Sequence, residues 1–164
     1  MIFKIIRGFF SNDLLVEIRE SRLRVRRFDG EGEFDDEPLL AIKKVGEQKI
    51  IEAIGTQAKT STSPDVEVTN PFRHSRSMVG NFQAAEKLLQ HAFQSVHKTV
   101  LRVSPRVVMH QLEKTEGGLS DVEQKVLREL AASAGAREVV VYTGRQVSPE
   151  IESFDDVKNR AVSV

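Results

Sequence analysis

Residues able to do chemistry are sparse in this sequence and poorly spaced for it. The four histidines are His74, His91, His97 and His110. His91 and His97 lie six apart in a stretch of helical periodicity, the wrong spacing for a shared metal face, and His110 alternates into an apolar run that reads as a strand. No serine stands in a Gly-x-Ser-x-Gly setting. Gly117-Gly118 precedes a helix and could offer N–H groups to an anion, although a plain turn needs the same residues. No pair of carboxylates is spaced for acid–base work. The chain has no cysteine, which excludes disulfides, thiolate metal sites and a cysteine nucleophile, and fits a reducing compartment. The residue chemistry therefore points to no catalytic group, no metal and no cofactor.

Charge narrows the partners. Lys plus Arg and Asp plus Glu number 24 each, so the overall balance argues for neither nucleic acid nor an acidic substrate. The local balance is uneven. Residues 1–27 hold seven bases and three acids, whereas "FDGEGEFDDEP" from Phe28 to Pro38 holds six acids and no base. This acidic stretch reads as a solvated hairpin tip. No apolar run approaches the roughly 20 residues of a membrane span. Lys4 and Arg7 interrupt the apolar start, and no small-residue cleavage site follows it, so a signal peptide is not expected.

The elements that must position any site follow from periodicity. In residues 1–10 the apolar Met1, Ile2, Phe3, Ile5, Ile6, Phe9 and Phe10 fill one arc of a helix, and Lys4, Arg7 and Gly8 fill the other. Such a short helix needs a surface to form on. "SNDLLVEIRESRLRV" reads as two strands joined at Arg19-Glu20-Ser21. Leu39–Lys44 and Lys49–Ile54 read as two more strands around Gly46. Residues 55–81 read as irregular, with a short strand at Val66–Val68. Asn81 caps a helix through Val96, and a buried strand starts at Arg106. Ser120 and Glu123 make a capping box for a second helix. Its core face is Val122, Val126, Leu127, Leu130 and Ala134. "REVVVY" reads as another buried strand, followed by a polar tail from Thr143. Alternating strands and helices imply a mixed α/β sheet with right-handed crossovers.

"FFSNDLLVEI", "EPLLAI", "EKLLQHAFQSVH", "SPRVV" and "LRELAASAGAREVVV" resemble, in order and spacing, the N-terminal half of MreB, the bacterial actin that determines rod shape. The similarity runs from about Phe3 to Tyr142. It implies an actin-like first half over 11–142: a ribonuclease-H-like mixed sheet with flanking helices and a small inserted subdomain at about 32–78. An amphipathic segment at 1–10 precedes it, and a tail at 143–164 follows. The family's first phosphate loop, Asp-Leu-Gly-Thr, falls on Glu17, Ile18, Arg19 and Glu20. Arg19 in place of glycine keeps the backbone away from a phosphate, and Glu20 repels one. The family's catalytic glutamate motif, "EEP", is met by Thr143-Gly144-Arg145. The resemblance thus implies a nucleotide site that has lost its chemistry. Some family members begin with a short amphipathic helix that inserts in the inner face of the cytoplasmic membrane. Ile2, Phe3, Lys4, Ile5, Ile6, Arg7, Phe9 and Phe10 match that pattern; the alternative is that they pack on the sheet.

Three functions remain open at this point. The first is a non-enzymatic, MreB-like interaction module of the cell-shape cytoskeleton. It would be cytoplasmic and peripheral at the inner membrane, with MreB or itself as partner, and would take no nucleic acid and no small-molecule substrate. The second is an adaptor of another envelope machine, such as a pilus or secretion platform, which rests on fold analogy alone. The third is a metal-dependent nuclease on the ribonuclease-H-like core. Glu17 would be its first acid, but only Glu113 and Glu116 follow at a later strand end. A lone half would also leave an apolar face for a partner. Either a two-fold dimer covers that face, or the tail does, with Val147, Ile151, Phe154 and Val157 as a helical stripe.

Overall fold

The computed structural model describes residues 12–97 and 103–162. Segment 1–10 lies outside the described residues, and so does every membrane-contact residue assigned to it.

The chain builds two sheets. The first runs β3-β2-β1-β7-β8 and the second β5-β4-β6. β1 (Leu14–Ile18) and β2 (Leu23–Arg27) form a hairpin in which Glu17 faces Arg24. β3 (Glu33–Asp36) adds antiparallel to β2. β4 (Leu40–Val45), β5 (Gln48–Ile54) and β6 (Val66–Thr69) make the second sheet. β7 (Arg106–Gln111) and β8 (Glu138–Tyr142) return to the first sheet, each parallel to its neighbour. The helices are α1 (Phe82–Val96), α2 (Asp121–Ser133) and α3 (Phe154–Val162).

Strand alternation sends successive side chains to opposite faces, and helices cover both. Leu14, Val16, Ile18, Val107 and Met109 face one way and pack with Leu88, Leu89 and Phe93 of α1 and Leu127 and Leu130 of α2. Leu15, Val108 and Tyr142 face the other way and pack with Val147, Phe154 and Val157 of the tail. β1 is therefore buried along its whole length. Caps fix where the helices start. Asn81 Oδ1 accepts from the Ala84 N–H at 3.1 Å. Ser120 and Glu123 exchange side-chain-to-backbone bonds, and these bonds from Ser120 hold the Glu123 carboxyl below its usual range. Ser153 and Asp156 form the equivalent box on α3, with Ser153 N–H to Asp156 at 2.8 Å and Asp156 N–H to Ser153 Oγ at 3.2 Å.

Asp36 joins the two sheets. Its Oδ1 accepts from the Thr56 N–H at 2.9 Å and the Thr56 hydroxyl at 2.6 Å. Gly55 beside it has φ +74, and a Cβ there would fall on the Asp36 carboxylate, so only glycine fits.

Four expectations need correction. The acidic stretch is a hairpin tip only over residues 28–32; Glu33–Asp36 is β3, paired antiparallel with β2. Val122 is 71% exposed because, at about 100° per residue, it lies well off the helix face that buries Leu127, Leu130 and Ala131. β8 is an edge strand, so its first four residues are only half buried. Ile151 is 83% exposed because it precedes α3 in a turn. Val147, Phe154 and Val157 are buried against the sheet.

Candidate functional site

The β1–β2 turn is closed by Arg19 N–H to Arg22 C=O at 2.9 Å and Arg22 N–H to Arg19 C=O at 3.4 Å, leaving Glu20 and Ser21 as a two-residue loop. Neither residue takes a left-handed φ. Every polar group of Glu20 is engaged by the protein. Its N–H donates to Glu113 Oε2 at 2.7 Å, and its carbonyl accepts from Asn70 Nδ2 at 2.8 Å. Its carboxylate takes Arg73 at 3.1 Å and Lys114 at 3.6 Å.

Glu113 arrives there because parallel pairing of β7 on β1 sets Gln111 beside Ile18, so the chain two residues on reaches the turn. Buried Gln111 then pins the following loop by donating to the carbonyls of Glu113 at 2.9 Å and Lys114 at 3.2 Å. Lys114 has φ +56, a conformation costing roughly 1–2 kcal/mol outside glycine. Its ammonium offsets this through Ser77 and His74 carbonyls and Glu20. An internal carboxylate is thus clamped onto the turn's backbone N–H, with the Arg19 guanidinium 3.9 Å away.

Glu17 points to the opposite face from Ile18. It is buried, and its oxygens accept from Arg26 at 3.0 Å and Gln146 Nε2 at 2.9 Å. Arg26 also meets Glu150 at 3.3 Å. Beyond lie two further arginines of β2 paired with β3 acids: Arg22 forks onto Asp35, and Arg24 holds Glu33. Hydrogen bonding from Arg22 pulls the Asp35 carboxyl below its usual value. Glu17, Arg19, Arg22, Arg24, Leu112 and Gln146 line a cavity of about 160 Å³. Of Glu17, Ile18, Arg19 and Glu20, Glu17 and Arg19 share this cavity; Ile18 is in the core, and Glu20 is at the turn.

Beside Glu17 stands His110, fully buried. Its Nε2 donates to the Gly144 carbonyl at 3.1 Å, while its Nδ1 has no hydrogen-bond partner among the described residues. Burial pushes its pKa below 6.5, more than the Gly144 bond and Glu17 push it up. Thr143-Gly144-Arg145 thus supplies a carbonyl to His110 and a guanidinium, Arg145, to Glu152 at 2.8 Å. No carboxylate occupies this stretch. Among the described residues, no group of three or more His, Asp or Glu is placed to hold a metal ion, and no helix is long and apolar enough to cross a membrane.

The sequence analysis missed Glu113 as an anchor and Gln146 as a partner of Glu17. The signal for Glu113 was its offset from the strand that pairs with β1; Gln146 is 129 residues from Glu17 and carries no local signal.

Residues 25–148 match the family model described as MreB/Mbl protein. The cell shape-determining protein MreB of Haemophilus influenzae is 35% identical over 148 residues, covering 85% of this chain and 40% of that protein. Among solved structures, MreB 5 of Spiroplasma citri bound to AMPPNP superposes with TM-score 0.61 at 18% identity over 80% of this chain and 38% of that one. A non-polymerising MamK mutant bound to AMPPNP gives 0.60 at 16% identity, covering 81% and 41%. These likenesses establish the actin-like fold. The chain spans about 40% of the length of the MreB relatives it matches. With the family model matched over most of its length, the chain belongs to the MreB/Mbl protein family.

Proposed function

We propose that this chain is a non-enzymatic interaction module of the bacterial cell-shape cytoskeleton that binds no ATP at its β1–β2 turn. The observation that carries this reading is the Glu113 carboxylate on the Glu20 N–H. In a phosphate-binding turn that N–H faces the ligand; here it is spent on an internal anion. A phosphate brought to this turn meets two carboxylates, Glu20 and Glu113, and must displace one from the backbone. Glu17, which matches the acid of the family's loop, is buried, and each of its oxygens is already held by one side chain, Oε2 by Arg26 and Oε1 by Gln146. The partner is an MreB filament or a second copy of this chain, and residues 1–10 supply contact with the inner face of the cytoplasmic membrane. Burial of their large apolar side chains favours binding by roughly 1.5–3 kcal/mol each before ordering costs. Lys4 and Arg7 add about 1 kcal/mol each at anionic headgroups.

Two measurements test this proposal. Co-sedimentation with MreB filaments should carry the chain into the pellet equally with and without added nucleotide; an absolute requirement for ATP would oppose it. Flotation with vesicles containing phosphatidylglycerol should fall at least tenfold in a chain with Phe9→Ser and Phe10→Ser. Equal flotation would remove the membrane role.

A further inference from the structure

The five-stranded sheet has two edges, and they are finished differently. β3 is four residues long and carries Glu33, Asp35 and Asp36, with the first two ion-paired to β2 arginines. Short, charged edges resist pairing with another strand. β8 reads Glu-Val-Val-Val-Tyr, with no proline and no lysine on the strand, and its three valines are half exposed. We propose that β8 is the docking edge for a second copy of this chain. The two strands would pair antiparallel about a two-fold axis at Val140, joining two five-stranded sheets into one of ten.

The ladder fixes this register. The Leu112 N–H donates to the Ile18 carbonyl, so the even-numbered residues of β7 turn their backbone groups to β1. Val107, Met109 and Gln111 therefore turn theirs to β8. The stagger of parallel pairing matches them with Glu138, Val140 and Tyr142. Val139 and Val141 are left with N–H and C=O directed to the side where, among the described residues, no strand pairs with β8. A two-fold axis at Val140 sets Val139 opposite the partner's Val141, and Val141 opposite the partner's Val139. All four residues then exchange hydrogen bonds, and Val140 meets its own copy at the non-hydrogen-bonded position. Apolar side chains match on both faces.

The ends carry no unpaired charge. Glu138, held by Lys158 at 2.5 Å, comes to lie opposite the partner's Tyr142, whose hydroxyl accepts from Arg160 of its own chain at 3.0 Å. Arg160 is itself paired with Glu152 at 2.6 Å, so closing the seam buries no uncompensated charge. A five-residue edge is a small interface, and dimerisation belongs at tens of micromolar. The pairing rests on strand geometry alone and stands apart from nucleotide binding.

The chain has no cysteine, so a single introduced thiol reports the register directly. At the non-hydrogen-bonded pair the Cα atoms sit about 4.5 Å apart, within disulfide reach. Under copper-catalysed air oxidation at tens of micromolar, Val140→Cys should give a covalent dimer at least tenfold faster than Val139→Cys, whose mate lies opposite residue 141. Equal rates, or no cross-link in Val140→Cys, overturn the proposal. Light scattering on the full chain should give twice its 18.4 kDa mass, and Val141→Pro, which removes an outward N–H, should raise the dissociation constant at least tenfold. A monomeric native chain at 100 μM, or unchanged dimerisation of a folded Val141→Pro, likewise overturns it. If circular dichroism shows Val141→Pro unfolded, the cysteine pair decides.

Discussion

Glu17→Ala should be among the most damaging polar substitutions in this protein. The side chain is 5% exposed and its partner Arg26 is 12% exposed, so neither charge is solvated. Removing the carboxylate leaves the Arg26 guanidinium with Glu150, which is 70% exposed, and the Val147 carbonyl at 3.4 Å, and leaves Gln146 without its acceptor. Breaking one side of a buried pair costs about 3–5 kcal/mol, and the residual Glu150 contact sets the expectation near the lower end, about 3 kcal/mol. For a domain of this size that is about 6–12 °C in melting temperature. Glu17→Gln keeps the acceptor but loses the charge, and should cost about 1.5–2 kcal/mol. The double replacement Glu17→Met with Arg26→Met removes both charges together and should lie within about 1 kcal/mol of the native chain. Urea unfolding of the four proteins ranks them directly. If Glu17→Ala costs under about 1 kcal/mol, or the double variant is no better than the single, then Glu17 is not the buried structural anion described here.

Glu113→Ala frees the Glu20 N–H and should lower the melting temperature by about 2–4 °C, for a loss near 1 kcal/mol, with Glu113→Gln between it and the native chain; calorimetry that finds no change would separate Glu113 from the turn. Phe154 is fully buried, with the Arg106 guanidinium 4.3 Å from its ring centre, so Phe154→Ala should cost about 3–5 kcal/mol by urea unfolding. A loss under about 1 kcal/mol would mean that α3 does not cover the sheet. His110 has a folded pKa below 6.5, so below that pH the unfolded chain takes up the proton first. Stability should therefore be full above pH 6.5 and fall as pH drops toward the folded pKa, by at most about 1.4 kcal/mol per pH unit. His110→Gln should flatten that slope, and an identical pH profile would refute the assignment.

The strands, helices and caps were legible wherever one local signal decided them. Alternation in 14–18 and the Ser120–Glu123 spacing are such signals. β3 was not legible because three acids in four residues oppose strand propensity; the arginines of β2 that neutralise two of them are a tertiary fact. Ile151 fits a helical stripe by spacing but falls in the turn before α3, and Val122, although four residues from Val126, lies off the face that Leu127, Leu130 and Ala131 bury. At the candidate site, a turn at Arg19-Glu20-Ser21 without glycine was readable in the chain. The clamp of Glu113 on Glu20 was not, since it depends on the register between β1 and β7, 93 residues apart.

The Glu113 carboxylate holds the Glu20 N–H that a phosphate at the β1–β2 turn would need. Isothermal titration of the full chain with Mg-ATP tests it most directly. No saturable binding tighter than about 100 μM, a free energy near −5.5 kcal/mol, is expected. Saturable binding tighter than that, lost in a chain carrying Arg19→Ala, would contradict it.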